Sequence, residues 1–595
     1  MDVTNRIAGI RLLMYENGID AYLLTGTDPH LSEYTPEYWK TREWISGFTG
    51  SYGKILVTKE KVLLWTDTRY FTQALKELEG TGIELMKERV PDTISLEEWV
   101  TSNLKPGSVF ALDGATISNA DVDLLTSKLG AKGIIFNTEV DLVDSLWTNR
   151  PSSGNSMVYE HPISYAGKSR SQKIDLIRKI LLSKGLDSTI ITMLDDLAWL
   201  FNIRSADIKF TPLVVAYAYL DLENVLLFIQ KDKITYKLDE LLINEGISLL
   251  PYEQFFVFLT QIENKRIHMD PVRTNSKIKS ALSASNFVDP SISLITQLKA
   301  VKDQNEIDHI KRAHQKDGTA MVYSLFWISQ TIGKQKLTEI TVGHKFTEFR
   351  SKQPLFKGES FQPIVGFGEH GAIIHYHATQ QTDSEIKSDN LLLIDSGGQY
   401  LDGTTDITRT ICLGSANEKQ KKDFTICLKA HIALANAVFP IGTKGYSLDS
   451  ITRKPLWDNA INYGHGTGHG IGYFLSVHEG PMSIRAEFNN EPIRAGHILS
   501  NEPGVYREGE YGIRIENVIL CKIHGSNNFG DFLCFETLSL CPIDRHLIDL
   551  KFLNIEEIRW INQYHEKVYH EISSNILEKN VVDWLKIQCE PFDEV

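Results

Sequence analysis

Four acids and one histidine, Asp395, Asp406, His469, Glu502 and Glu516, stand in separate turn and strand-end settings across the last third of this 595-residue chain. Any fold that uses them together must bring several strand ends to one place. Leu391-Leu392-Leu393-Ile394-Asp395-Ser396-Gly397-Gly398 is an apolar run ending in an acid and two glycines, which predicts a buried strand that delivers Asp395 at its end. Residues 400–410 then turn at Asp402-Gly403 and continue in β-branched residues, so a hairpin is expected to return Asp406 beside Asp395. Neighbouring carboxylates cannot both ionise cheaply without a cation, so the pair points to a metal.

Gly464-His465-Gly466-Thr467-Gly468-His469-Gly470-Ile471-Gly472 places two histidines among five glycines, a density that lets backbone approach an ion or substrate closely. His478 and Glu479 follow. Asn501-Glu502-Pro503-Gly504 reads as a turn bearing an acid, and residues 511–520 as one alternating strand. Arg514 and Glu516 share a face of that strand, since side chains at i and i+2 do, so Arg514 is expected to orient the acids. The five residues together have the composition of a two-metal hydrolytic centre. Four carboxylates balance two divalent ions with a bridging hydroxide, and an oxygen-rich donor set with one nitrogen and no sulfur favours manganese, with cobalt or zinc able to substitute.

The order Asp, Asp, His, Glu, Glu, in Ile-Asp-Ser-Gly, Gly-Thr-Thr-Asp-Ile-Thr-Arg, Gly-His-Gly-Thr-Gly-His-Gly, Asn-Glu-Pro-Gly and Ile-Arg-Ile-Glu-Asn contexts, resembles the pita-bread metallopeptidases. Within them it is similar to the long, three-domain Xaa-Pro aminopeptidases. The resemblance implies that Asp395 binds one metal, that Asp406 and Glu516 bridge both, and that His469 and Glu502 complete the second site. It further implies that His375, His465 and His478 surround the substrate carbonyl and proline, and that Glu502 also accepts a proton. The activity implied is release of the first amino acid from peptides with proline second, by attack of a metal-bridging hydroxide. His370, His377 and His497 are given no direct role. Two other readings share the motifs: a prolidase that cuts only Xaa-Pro dipeptides, and an inactive pita-bread module that binds peptides. Length and the C-terminal tail favour the aminopeptidase over the first, and the intact ligand set disfavours the second.

Composition agrees with an enzyme of this kind. At 42% hydrophobic and 23% charged residues the chain is too apolar to be mostly disordered. A formal charge of −14 without a long basic run argues against a phosphate-binding surface, so no nucleic-acid partner is expected. Six cysteines without CxxC spacing, Cys412, Cys427, Cys521, Cys534, Cys541 and Cys589, are expected to be free thiols in a reducing compartment. With no signal-like apolar core at the start and no apolar run of about 18 residues, a cytoplasmic protein without membrane contact is expected.

An internal repeat sets the organisation of the first half. Ile7, Ile10, Leu13 and Met14 at helical spacing lead through Gly18-Ile19-Asp20 to the strand run Ala21-Tyr22-Leu23-Leu24-Thr25. Ile174, Ile177, Ile180 and Leu181 lead likewise through Gly185-Leu186-Asp187 to Ser188-Thr189-Ile190-Ile191-Thr192. The fold class expected is two related α/β domains, 1–153 and 154–297, then an α+β pita-bread catalytic domain, 298–541, and an extension, 542–595. Residues 151–155 form the expected first linker. Trp560, Ile561, Tyr564, Val568 and Tyr569 stand at helical spacing in the extension, which is expected to pack or to support a homodimer.

Overall fold

In the computed structural model, residues 2–593 are described except Pro91 and Ser153, so one residue of the expected first linker lies outside the description. The chain divides into two units, Met1–Gln297 and Leu298–Val595.

The repeat of the first unit is a repeat of topology. Helix Val3–Glu16, capped by the Asp2 side chain, runs into strand Ala21–Leu24. That strand pairs antiparallel with Lys54–Thr58 and parallel with Val109–Leu112, inside a six-stranded mixed sheet. Helix Arg170–Lys184 opens with a Ser169/Gln172 capping box and runs into Ser188–Ile191. This strand pairs antiparallel with Ala216–Asp221 and parallel with Arg266–His268, in a second six-stranded sheet with the same succession of pairings. Alternate residues of the first sheet feed two cores: Tyr22, Leu24, Ile55 and Val57 enter one, Ala21, Leu23, Leu56 and Leu63 the other. Burial on both faces is why these strands read as continuous apolar runs.

The second unit opens on the long helix Gln304–Thr331, started by an Asp303/Glu306 capping box. Gly318 on this helix lets the Leu540 carbonyl come so close that a Cβ would collide with it. Two sheets frame the site. The strand Asn390–Ser396 lies between Ile364–Phe367 and Ile407–Leu413, both antiparallel to it. A six-stranded sheet runs in the order Val438–Pro440, Gly530–Thr537, Asn517–Asn527, Ile498–Asn501, Gly468–Gly470, Glu479–Ile484. Helix Glu418–Ala435 and the helices of the extension, Ile555–Ser573 and Lys579–Gln588, close one core with Val505, Ile513 and Ile515. All six cysteines are free. Among the described residues no helix is long and apolar enough to cross a membrane.

Candidate metal centre

Asp395 arrives as the expected strand end, opposite Thr408 on one side and Ile364 on the other. Beyond Ser396 the chain makes a small hairpin, Gly398–Tyr400 against Gly403–Thr404, and re-enters the sheet at Ile407. Asp406 is thereby returned next to Asp395. A Cβ at Gly397 would strike the Thr405 carbonyl, so only glycine lets the hairpin close this tightly.

The other two acids come from the second sheet. Asn501 faces Asn517 in the register of Ile498–Asn501 and Asn517–Asn527, which sets Glu502 and Glu516 at the same end of two neighbouring strands. Here the structure corrects the reading of residues 511–520 as one strand. Tyr511–Arg514 pairs with Gly504–Arg507 in a separate ribbon, and Ile515 and Glu516 cross from it to the six-stranded sheet. The break has a physical cause: the Glu516 backbone is engaged by a third element. Its amide donates to the Thr408 carbonyl at 3.1 Å, and its carbonyl accepts from Arg409 Nη1 at 2.7 Å.

Among the described residues, Asp406, His469 and Glu516 form a group whose ligating atoms all lie within 4.8 Å of one another. His469 Nε2 is 3.5 Å from Asp406 Oδ2 and 3.4 Å from Glu502 Oε1. Its Nδ1 lies 2.9 Å from the Gly470 carbonyl. A carbonyl only accepts, so Nδ1 carries the proton and the Nε2 lone pair faces the acids. Arg514 Nη2 donates to Asp395 Oδ2 at 2.7 Å, while Oδ1 is buried with no hydrogen-bond partner among the described residues. Arg514 therefore orients Asp395, and its Nε reaches Thr408 Oγ1, which donates to Glu516 Oε2 at 2.7 Å.

Electrostatics make the same point. Burial first, then Asp395 and Glu502, push Asp406 well above the usual carboxylate range. Burial, then Asp406, Asp395 and Glu502, do the same to Glu516. Glu502 is raised to about 7, burial outweighing the opposing pull of Arg514. Four mutually repelling acids, an orphaned carboxylate oxygen and an imidazole in the metal-binding tautomer fit a pair of divalent cations.

The three histidines expected beside the substrate are placed differently from one another. The His478 ring stands edge-on to His469, 4.2 Å between centroids, and in its protonated form favours ionised Asp406 and Glu502. His465 Nε2 is 2.7 Å from the Tyr506 hydroxyl, which accepts from Arg514 Nη1 at 2.8 Å, so a chain of contacts runs from His465 to Asp395. His375 stands in a loop of successive turns: Ile373 donates to the His370 carbonyl and Tyr376 to that of Ile373. These local bonds replace a strand ladder. Tyr376 packs with Ile364 and Leu393, which carries the loop along the flank of the Asp395 strand. His370 is bonded to Glu339, and His497 Nδ1 accepts from the Arg494 amide.

Tyr506, Thr408, Arg409, His431 and Asn517 escape the sequence reading. Their contacts join elements far apart in the chain. The visible trace is an asparagine beside each glutamate, Asn501 and Asn517, each buried at the end of its strand.

The fold and this acidic cage define the chain as a metallopeptidase of the pita-bread kind. The profile of metallopeptidase family M24 matches residues 308–522, that of the creatinase/prolidase N-terminal domain matches 6–144 and again 149–306, and that of the C-terminal region of peptidase M24 matches 531–592. A probable Xaa-Pro aminopeptidase P of Laccaria bicolor is 36% identical over 607 residues, covering 99% of this chain and 94% of that one. One from Aspergillus fumigatus is 37% identical over 613 residues, covering 99% and 93%. The crystal structure of the X-prolyl aminopeptidase of Caenorhabditis elegans, a cytosolic enzyme with a di-nuclear active site, superposes over 100% of both chains with a TM-score of 0.96 at 32% identity. The chain belongs to the Xaa-Pro aminopeptidase P family.

Proposed function

We propose that this protein is a metal-dependent aminopeptidase that releases the first amino acid from peptides with proline in the second position. The observation that carries the reading is the convergence of Asp406, His469, Glu502 and Glu516 around an Asp395 whose Oδ1 has no partner. Asp395, Asp406, His469, Glu502 and Glu516 are the proposed ligands, and manganese is the first choice of metal, because the donor set is rich in oxygen and lacks sulfur. Two such ions, held by these residues, would supply an activated water at neutral pH and polarise the scissile carbonyl.

The chain's own residues do the rest. Arg514 holds Asp395 through Oδ2 and leaves Oδ1 presented to the cage. Ser500 Oγ donates to Glu502 Oε1 at 3.0 Å, which fixes that carboxylate. Glu502 is 18% exposed against 6% for Asp406, which makes Glu502 the acid able to pass a proton to the leaving nitrogen. His375, His465 and His478 are proposed to hold the substrate around that bond. An Xaa-Pro bond is a tertiary amide with no N–H and a fixed φ, so a site for it reads the ring and not a backbone donor.

We also assign domain boundaries after residues 153, 297 and 541, a cytosolic location, and a homodimer supported by the C-terminal extension. Sedimentation of the purified chain tests the dimer. The function is tested by cleavage of Arg-Pro-Pro beside an Xaa-Pro dipeptide, with and without chelator. Tripeptide cleavage lost on chelation is the expected result. Cleavage of the dipeptide alone would make the protein a prolidase, and no cleavage of either with metal bound would make it a binding module.

A further inference from the structure

The extension was expected to pack or to support an interface, yet it reaches the polar groups behind the cage. Arg409 is fully buried, and its partners are neutral oxygens. Its Nε donates to the Pro542 carbonyl at 3.1 Å, and Nη1 to the carbonyls of Thr408 at 2.8 Å and Glu516 at 2.7 Å. Around Nη2 lie Asn517 Oδ1 at 2.8 Å, the Cys541 carbonyl at 2.8 Å and the Tyr564 hydroxyl at 2.7 Å. A buried guanidinium satisfied in this way is a costly means of filling space, and apolar packing would serve stability as well.

The polarity continues in one direction. Because Asn517 Oδ1 accepts from Arg409, its Nδ2 faces His431 Nε2 at 3.0 Å, and His431 Nδ1 donates to the Ile515 carbonyl at 3.2 Å. The His431 carbonyl in turn accepts from Asn501 Nδ2 at 2.9 Å. The residues flanking Glu516 on both sides, and the residue before Glu502, are thus gripped by one relay. Two aromatic residues one turn apart on helix Ile555–Ser573 close it. Tyr564 bonds Arg409, while Trp560 stacks on Tyr564 at 5.3 Å and stands edge-on to His431 at 5.7 Å.

We propose that the C-terminal extension is a positioning element of the metal centre: Tyr564 and Trp560, acting through Arg409, Asn517 and His431, set the backbone that presents Glu516 and Glu502 and so tune cation affinity. The inference rests on the reading of those two glutamates as ligands. It is tested with full-length, metal-stripped protein titrated with manganese by calorimetry, with bound metal counted by mass spectrometry. Tyr564→Phe keeps the ring and its stacking and removes only the hydroxyl. Its manganese affinity is expected to fall about 10- to 100-fold, the range found when groups supporting metal ligands are removed. Its metal-free melting temperature should change little, and excess manganese should restore activity with an unchanged KM for peptide. His431→Phe, which keeps a ring but loses both relay bonds, should behave alike and serves if Tyr564→Phe does not fold. Unchanged affinity in the folded variants, whatever happens to melting, overturns this inference alone. Wild-type protein that binds fewer than two ions overturns the ligand assignment and this inference with it.

Discussion

Asp207 in the first unit and Asp406 in the second are both buried carboxylates, and they are buried on opposite terms. Asp207 has a cation of its own, with Lys233 Nζ 3.1 Å from each oxygen, and accepts from the amides of Ser156 and Val215. Asp406 has Asp395, Glu502 and Glu516 for neighbours. The first arrangement is complete and serves architecture. The second is stable only if positive charge comes from outside the chain, which separates a site from a structural ion pair.

The largest contrast should come from removing one charge in each unit. Asp395→Asn or Glu502→Gln should lower kcat/KM by about 1000-fold or more, the scale of losing several kcal/mol of charge stabilisation. Glu502→Gln should melt no lower than the metal-free parent, because a repelling charge has gone. Full activity in either variant would break the assignment of the cage. Asp207→Asn should do the reverse, costing about 3–5 kcal/mol because Lys233 is left buried without its partner. Urea unfolding measures that cost, and activity per folded molecule should be unchanged.

A third contrast comes from metal alone. Manganese at about 100 times its dissociation constant should add about 2.7 kcal/mol for each site. Hydrogen exchange should then slow in residues 390–413 and 498–517 and stay unchanged in residues 188–221. Equal slowing in both stretches would mean that the effect is not centred on the cage. Next in size, Arg514→Lys should lose about 10- to 100-fold in metal affinity or kcat, since an ammonium cannot hold Asp395 and Tyr506 together.

Buried histidines add a dependence on pH. His431, His497 and His565 of the second unit are pushed down to about 3, burial being the main cause and nearby cationic side chains the next. Each is neutral in the folded chain and takes up a proton on unfolding once the pH drops below its ordinary value of 6.5. Stability should therefore fall as the pH drops from 6.5 towards 3. Calorimetric melting between pH 6.5 and 4.5, with metal saturating the cage, should show this slope, and His565→Gln should reduce it by about one proton.

Much of the cage was legible because each candidate ligand carries its own local signal. An apolar run ends in Asp395, a turn precedes Asp406, and glycines surround His469. The repeat was legible for a similar reason, since helix spacing, glycine and strand recur in the same order. What supports the cage was not legible. Arg409 reaches Tyr564 across 155 positions, and His431 reaches Asn517 across 86, and no local pattern encodes either contact. The break after Arg514 was hidden as well, because Ile513 and Ile515 keep up the alternation of a strand while the chain passes between two sheets.

That crossing has a mechanical consequence. Glu516 lies on a two-residue bridge with Tyr511–Arg514 in one sheet behind it and Asn517–Asn527 in another ahead. A cation held by Glu516 from the bridge, by Asp406 at the entry to Ile407–Leu413 and by His469 from the six-stranded sheet would act as a rivet where these elements meet. The chemistry and the angle between the sheets would then be fastened by the same pin, and stripping the metal would loosen the frame along the line where peptide would be cut.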